Sequence, residues 1–193
     1  MDLYKPKDDE EYRLTQEGRH VHNSHEYPLS PWHLELLNDA DFKLESPILD
    51  VGTRNGLFLD ELKKRGFDAI GIEVTDIADY AISMGRNVVK GDIQKRTQWA
   101  DGYFKTVVAT HVIEHLYDPE AGLREIRRIL DGYLYVAFPL QGDIASGNWL
   151  HLGHYSGYDT IDAMAKLLTE NGFEIIKKID GGVWMQTIIA KTI

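Results

Sequence analysis

PILDVGTRNGLFLDELKKRG, residues 47–66, decides the fold. Its first part is a short apolar run interrupted by one acid, Asp50, and bounded by glycine, which reads as a buried strand. Its last part, NGLFLDELKKRG (55–66), reads as an amphipathic helix closed by Gly66. Between them Gly52 and Gly56 mark a tight strand-to-helix turn, since glycine permits positive φ and lets a ligand approach the backbone. The amides at the start of the following helix are available to an anionic group.

The same alternation continues down the chain. AIGIEV (69–74), NVVKGDI (87–93), TVVATH (106–111) and YLYVAF (133–138) read as strands. DIADYAISMG (76–85) and PEAGLREIRRIL (119–130) read as helices, the latter with Leu123, Ile126 and Leu130 on one face. The segment from Asp159 to Gly172 places Ile161, Met164, Ala165 and Leu168 at helical spacing. FEIIKKI (173–179) and VWMQTIIAKTI (183–193) are two strand-like runs joined at Gly181-Gly182 without a helix between them. The expected fold is therefore α/β: a Rossmann-like, seven-stranded, mostly parallel sheet with helices on both faces and a C-terminal antiparallel hairpin at the edge. Residues 1–45 are polar and rich in histidine and are expected to form an N-terminal helical cap segment, with the main domain spanning 46–193. Within the cap, Ser30-Pro31 before WHLELL is a helix start, with a serine cap and proline at the first helical position.

Composition narrows the function. Across 193 residues there are 21 Lys plus Arg against 31 Asp plus Glu, a formal net charge of −10, which disfavours nucleic acid and anionic membranes as partners. Lys63 to Arg65 and Arg127-Arg128 are local basic clusters, but both fall on helices, where charge is ordinarily the solvated face. The absence of cysteine rules out disulfides, thiol catalysis and thiolate metal sites. The charged amino terminus, MDLYKPKDDEEYR, is no secretory signal, and no apolar run approaches the ~20 residues of a membrane helix. A cytoplasmic protein is expected.

In an open parallel sheet, ligands bind beyond the carboxyl ends of the strands, so the tips deserve the closest reading. Glu73 closes the second strand, 21 residues after Gly52. A carboxylate there can accept hydrogen bonds from both hydroxyls of a ribose; the alternative is a solvated acid before a turn. Asp92 follows the third strand in a Gly-Asp-Ile triplet, where the acid can accept from an exocyclic amine and the Ile93 amide can donate to a ring nitrogen. Gly-Asp is equally a common turn pair. The fourth strand ends in Thr110-His111-Val112-Ile113-Glu114-His115-Leu116, followed by Asp118-Pro119 opening a helix.

Asp50, Gly52 and Gly56 together resemble motif I of the class I S-adenosylmethionine-dependent methyltransferases, an acidic residue followed by alternate glycines. Arg54 stands where the middle glycine would be. The likeness extends to Glu73, to Asp92, to the His111–Leu116 segment, to Phe138-Pro139 and to His154-Tyr155-Ser156, and covers most of 47–193. It is closest to the small-molecule, type 11-like branch. The resemblance implies S-adenosylmethionine as cofactor, held by Asp50, Gly52, Thr53, Gly56, Glu73, Asp92, Ile93 and His111, and a small-molecule acceptor. His111 and His154 are the candidate catalytic bases. The glycine fingerprint of dinucleotide enzymes is absent, which weighs against a nicotinamide oxidoreductase.

The histidines also admit other readings. His111, Glu114 and His115 form an H-x-x-E-H string, but a zinc protease carries it on a long helix, whereas here it follows a strand and precedes proline. A metal held with His151 or His154 is an alternative, and no metal is expected. Glu114 and His115 alternatively brace the loop. His20, His22 and His25 form a second group, able to reach an acceptor if the cap folds over the cleft. Gln141–Gly157, with Trp149 and Tyr155, is long for a connection and has the character of a substrate-facing lid. Because fold does not dictate function, Arg54 also supports a second class of reading, a catalytically inactive fold serving as an interaction module.

Overall fold

The computed structural model describes residues 10–11, 14, 28–38, 42, 44–140, 160–182 and 185–193. The described helices and strands run α1 (Pro31–Asn38), β1 (Ile48–Val51), α2 (Leu57–Lys64), β2 (Ala69–Glu73), α3 (Ile77–Ser83), β3 (Val88–Lys90), β4 (Phe104–Thr110), a 3₁₀ turn (Ile113–His115), α4 (Pro119–Ile129), β5 (Leu130–Phe138), α5 (Ile161–Glu170), β6 (Phe173–Asp180) and β7 (Gln186–Thr192). Seven strands form one sheet in the order β3-β2-β1-β4-β5-β7-β6. β3, β2, β1, β4 and β5 are mutually parallel, whereas β7 is antiparallel to both β5 and β6. The C-terminal hairpin is thus present with β7 inserted between β5 and the edge strand β6. The chain winds outward from β1 to β3, then returns to place β4 on the other side of β1. That reversal leaves a crevice beyond the ends of β1 and β4, where ligands of such sheets are held.

Strand alternation divides the core into two layers. Leu49, Val51, Val107, Ala109, Leu134 and Val136 pack with Leu123, Ile126 and Ile129 of α4 and Met164 and Leu168 of α5. Ile48, Val108, Tyr135 and Ile189 face the other way, onto Phe58, Leu59 and Leu62 of α2 and Ala78 and Ala81 of α3. Leu29, Leu36, Leu37, Phe42 and Leu44 pack against this second layer, so the described part of the amino-terminal segment shares the core of the α2/α3 face. Asp50 has the parity of Ile48 and points to that same side.

Helix starts follow the local chemistry. Asp118 Oδ1 accepts from the Ala121 amide at 2.9 Å with Pro119 in the first turn, and Thr160 Oγ1 accepts from the Ala163 amide at 3.1 Å. Ser30 Oγ accepts from the Trp32 amide at 3.4 Å. β5 begins at Leu130, three residues before the expected Tyr133, directly after α4. Gly132 makes this possible: a Cβ there would lie 2.2 Å from the Lys105 carbonyl oxygen, beside the irregular register between Phe104 and Thr106. No helix among the described residues is long and apolar enough to cross a membrane.

Leu49 is fully buried on the central strand. Leu49→Ala is expected to cost about 2–5 kcal/mol, seen as a lower urea midpoint with an unchanged m-value.

Candidate functional site

The turn after β1 has a regular backbone pattern. Gly52, Arg54 and Gly56 all take positive φ, at 68°, 53° and 76°. Arg54 therefore occupies the left-handed conformation for which glycine is the usual residue, at a cost of roughly 1–2 kcal/mol for a side-chain-bearing residue. The conformation is held from β2. The Arg54 amide donates to Glu73 Oε2 at 2.9 Å, and the Gly52 amide donates to the Ile72 carbonyl at 2.9 Å. Close packing adds to this. A Cβ on Gly52 would meet Val112 at 2.7 Å, one on Gly71 would meet Thr53 at 2.4 Å, and one on Gly56 would meet Arg86 at 2.6 Å. Arg86 braces the far side of the turn, donating from Nη1 to the Asn55 carbonyl at 2.7 Å and from Nε to Asp60 at 2.9 Å.

Three acids stand at the ends of three neighbouring parallel strands. Glu73 pairs in register with Lys90 at the end of β3, and the Gly91 amide donates to the Glu73 carbonyl, which brings Asp92 just beyond the tip of β2. Glu73 is buried, and its Oε1 accepts from both the amide and the hydroxyl of Thr75, at 2.9 and 2.8 Å. Three of the roughly four acceptor positions of the carboxylate are thus engaged in its own turn and the glycine turn. Asp92 Oδ1 accepts from the Gln94 amide at 2.9 Å and the Gln94 side-chain amide at 3.1 Å, while Gln94 Oε1 accepts from the Asp118 amide at 2.8 Å. Gln94 thereby ties the Asp92 loop to the start of α4. Ile93 is buried beside it.

Asp50 is buried at 2% exposure, and its Oδ2 meets no hydrogen-bond partner. Burial pushes its carboxyl up to about 7; the nearby Thr53 hydroxyl opposes the shift and the charge of Glu73 adds to it. Thr53 Oγ1 is itself buried and outside normal hydrogen-bond geometry with any partner. Buried polar atoms without partners are uncommon in proteins and call for a specific explanation, such as a group supplied by a ligand.

At the tip of β4, His111 has φ 55°, and its amide donates to the Ala137 carbonyl at 2.8 Å. Its Nδ1 lies 3.5 Å from Glu114 Oε1, and His115 Nε2 lies 3.9 Å from the same oxygen. Glu114 is almost fully buried, so one carboxylate sits between two imidazoles. The described residues contain no group of three or more His, Asp or Glu side chains arranged to hold a metal ion. His154 and His151, the His20, His22 and His25 group, and the lid residues Trp149 and Tyr155 lie outside the described residues.

Two residues at the site had no signal in the sequence pattern. Arg86 follows a helix end in a way that looks like any solvated arginine. His33 lies within the amphipathic α1, yet its ring stacks on Phe58 of α2 at 4.2 Å between centroids and 17° between planes. Its Nδ1 is buried without a hydrogen-bond partner. The His33 pKa is lowered to about 4, mainly by burial, with the charges of His111 and Arg54 contributing to the shift.

The resemblance of Asp50, Gly52 and Gly56 to motif I points to a methyltransferase, and comparison with known families agrees on the family. The model of the methyltransferase domain matches residues 20–178. This chain belongs to that family of class I methyltransferases. S-adenosylmethionine is its cofactor. Solved structures share the fold. One is a Thermotoga maritima S-adenosylmethionine-dependent methyltransferase described as a possible histamine N-methyltransferase, 22% identical with a TM-score of 0.66, covering 94% of this chain and 97% of that one. Another is magnesium protoporphyrin IX methyltransferase of Synechocystis with bound S-adenosylhomocysteine, 14% identical with a TM-score of 0.68, covering 96% and 98%. A third is the Haloferax volcanii complex of the Trm112 activator with a putative methyltransferase, 14% identical with a TM-score of 0.69, covering 98% and 97%. No curated protein sequence matches the chain.

The raised pKa of Asp50 sets a pH dependence. The folded value lies above the unfolded one, so the stabilising contribution is complete below about 4 and is lost as pH rises to about 7. Asp50→Asn removes the titration while keeping the shape. Relative to the wild type, its stability is expected to gain on the order of 1–4 kcal/mol between pH 4 and pH 8, levelling above pH 7, as read from urea unfolding at several pH values.

Proposed function

We propose that this methyltransferase transfers the methyl group of S-adenosylmethionine to an O or N atom of a small-molecule acceptor. The observation that carries the reading is the latch between the glycine turn and Glu73, beside a buried Asp50 whose Oδ2 lacks a partner. The residues present fit the cofactor. Gly52 leaves no side chain between Val112 and the turn, and Asp50 and Thr53 offer unmatched polar atoms at the cleft.

When bound, the cofactor supplies a methyl group on a sulfonium, open to in-line displacement. Glu73 would accept from one ribose hydroxyl with its remaining position, and Asp92 and the Ile93 amide would read the adenine edge. Asp50, Gly52, Thr53, Gly56 and His111 would border the methionyl part. The chain's main contribution is then placement, which can supply about 7–11 kcal/mol of a barrier when reacting atoms are held in near-attack geometry. His111 is the base candidate that the described residues support. The Glu114 carboxylate lies 3.5 Å from its Nδ1, which orients the ring and leaves Nε2 to take a proton from the acceptor. His154 is the second candidate, from the segment outside the described residues. Residues 1–45 act as a cap on the domain formed by 46–193 and, with the 141–157 loop, select the acceptor.

Calorimetric titration with S-adenosylmethionine and S-adenosylhomocysteine tests this. The wild type is expected to bind both, and Glu73→Ala to lose roughly 10- to 100-fold in affinity, the scale of one hydrogen bond to a charged group. No heat of binding from the folded wild type at millimolar ligand would leave an inactive interaction module as the better reading.

A further inference from the structure

Of the H-x-x-E-H string at the tip of β4, the proposed reaction uses His111 and Glu114 and leaves His115 without a part. The geometry gives it one. His111 Nδ1 lies 3.5 Å and His115 Nε2 3.9 Å from the same oxygen, Glu114 Oε1. The two histidine side chains are 37% and 21% exposed, whereas that of Glu114 is 2% exposed. The backbone is folded tightly to bring this about. His111 takes a left-handed φ of 55°, and its amide donates to the Ala137 carbonyl near the end of β5. The His115 amide donates to the Val112 carbonyl at 2.8 Å, and the Leu116 amide to the Ile113 carbonyl at 3.2 Å. Ile113 and Leu116 are buried, and Leu116 lies where a Cβ on Gly122 of α4 would meet it at 2.5 Å. Both histidines are therefore placed by the fold alone.

A neutral imidazole has one donor and one acceptor nitrogen, so the group beside Nδ1 decides what Nε2 can do. An ionised carboxylate only accepts. It selects the Nδ1–H tautomer and leaves Nε2 with a lone pair for an incoming proton. A protonated carboxyl can donate instead, which selects the tautomer whose Nε2 already carries its hydrogen. His111 is thus a base only while Glu114 is ionised. A charge in so dry a place needs compensation from its neighbours. His111 supplies it unevenly, because its own charge changes with each proton it takes and releases. A second imidazole on the same oxygen supplies it throughout, since a hydrogen on Nε2 presents positive charge whether that ring is neutral or protonated. At 3.9 Å the His115 contact is in the ion-pair range and beyond hydrogen-bond range, so its effect on Glu114 is electrostatic.

We propose that His115 is a positioning residue: with its hydrogen on Nε2 it keeps Glu114 ionised and thereby holds His111 in the Nδ1–H tautomer, the form whose Nε2 can take the proton of the methyl acceptor. The inference rests on His111 being the base of the proposed reaction and deepens that reading. The two rings then hold opposite tautomers about one carboxylate. Proton uptake at His111 Nε2 leaves a cationic ring with its Nδ1–H beside Glu114, while His115 stays as it was.

Imidazole tautomers are read from long-range proton–nitrogen correlation spectra of the full-length, nitrogen-labelled protein at about pH 8.5, above the ordinary histidine range. Loss of signals in His111→Gln and His115→Gln assigns the two rings. In the wild type, His111 is expected to be mainly Nδ1–H and His115 mainly Nε2–H. His115→Phe keeps a ring but no donor, and is expected to move the His111 tautomer ratio roughly 3- to 10-fold toward Nε2–H, the scale of one modest hydrogen bond. His115→Gln, whose side-chain amide can return a donor beside Glu114, is expected to restore the wild-type ratio. A wild-type His111 carrying its hydrogen on Nε2 overturns the proposal, even if His115→Phe fails to fold. A ratio unmoved in folded His115→Phe also overturns it, as does an equal shift in the phenylalanine and glutamine variants, the mark of a merely structural role. The tautomers are read with neither cofactor nor acceptor present, so a silent S-adenosylmethionine titration would remove the methyl-transfer reading without bearing on the tautomers.

Discussion

The hydrogen bond from the Arg54 amide to Glu73 joins the two parts of the molecule on which everything else at the site depends. A turn with three left-handed residues in five is not a conformation that a chain adopts unaided, least of all with arginine in the middle. It persists because a buried carboxylate on the adjacent strand accepts the turn's central amide, while the Ile72 carbonyl accepts the amide two residues earlier. Arg86 holds the other end through the Asn55 carbonyl. The parallel pairing of β1 with β2 brings these partners into register, so sheet formation and turn geometry are one event.

The same register concentrates acid at one end of the sheet. Packing Asp50 and Glu73 side by side in a dry environment is costly, and the structure meets that cost unequally. Glu73 receives three donors within the protein, whereas Asp50 stays short of partners and titrates near neutrality. That asymmetry separates a residue that holds the turn together from one whose Oδ2 stays without a hydrogen-bond partner. On the opposite wall, the Glu114 carboxylate between His111 and His115 organises the β4 tip in a comparable way. Two acids thus work as scaffolding, and the groups exposed to the cleft are set by what those acids hold.

The amino-terminal segment is tied to this arrangement through hydrophobic contact. Leu36 and Leu37 pack on the α2/α3 layer, and that packing delivers His33 to Phe58, one helical turn beyond the glycine loop. The segment that carries little secondary-structure signal is thereby in direct contact with the element that carries the most.

How much could be read from the chain alone follows from the range of each interaction. The strand–turn–helix of 47–66, the acids at successive strand ends and the helix caps Ser30 and Asp118 are local patterns: hydrophobic periodicity, glycine spacing and short-range hydrogen bonds write them into consecutive residues. The seven strands and the terminal hairpin were legible for that reason. The insertion of β7 between β5 and β6 was not, because strand order is settled by which apolar faces meet across the sheet. The early start of β5 depended on a glycine lying against a carbonyl 27 residues away, a contact no local window contains. Arg86 and His33 were silent for the same cause. Local chemistry determined the glycine turn and the acids at the strand tips; only tertiary packing decided which distant side chains, with which charges, would stand around them.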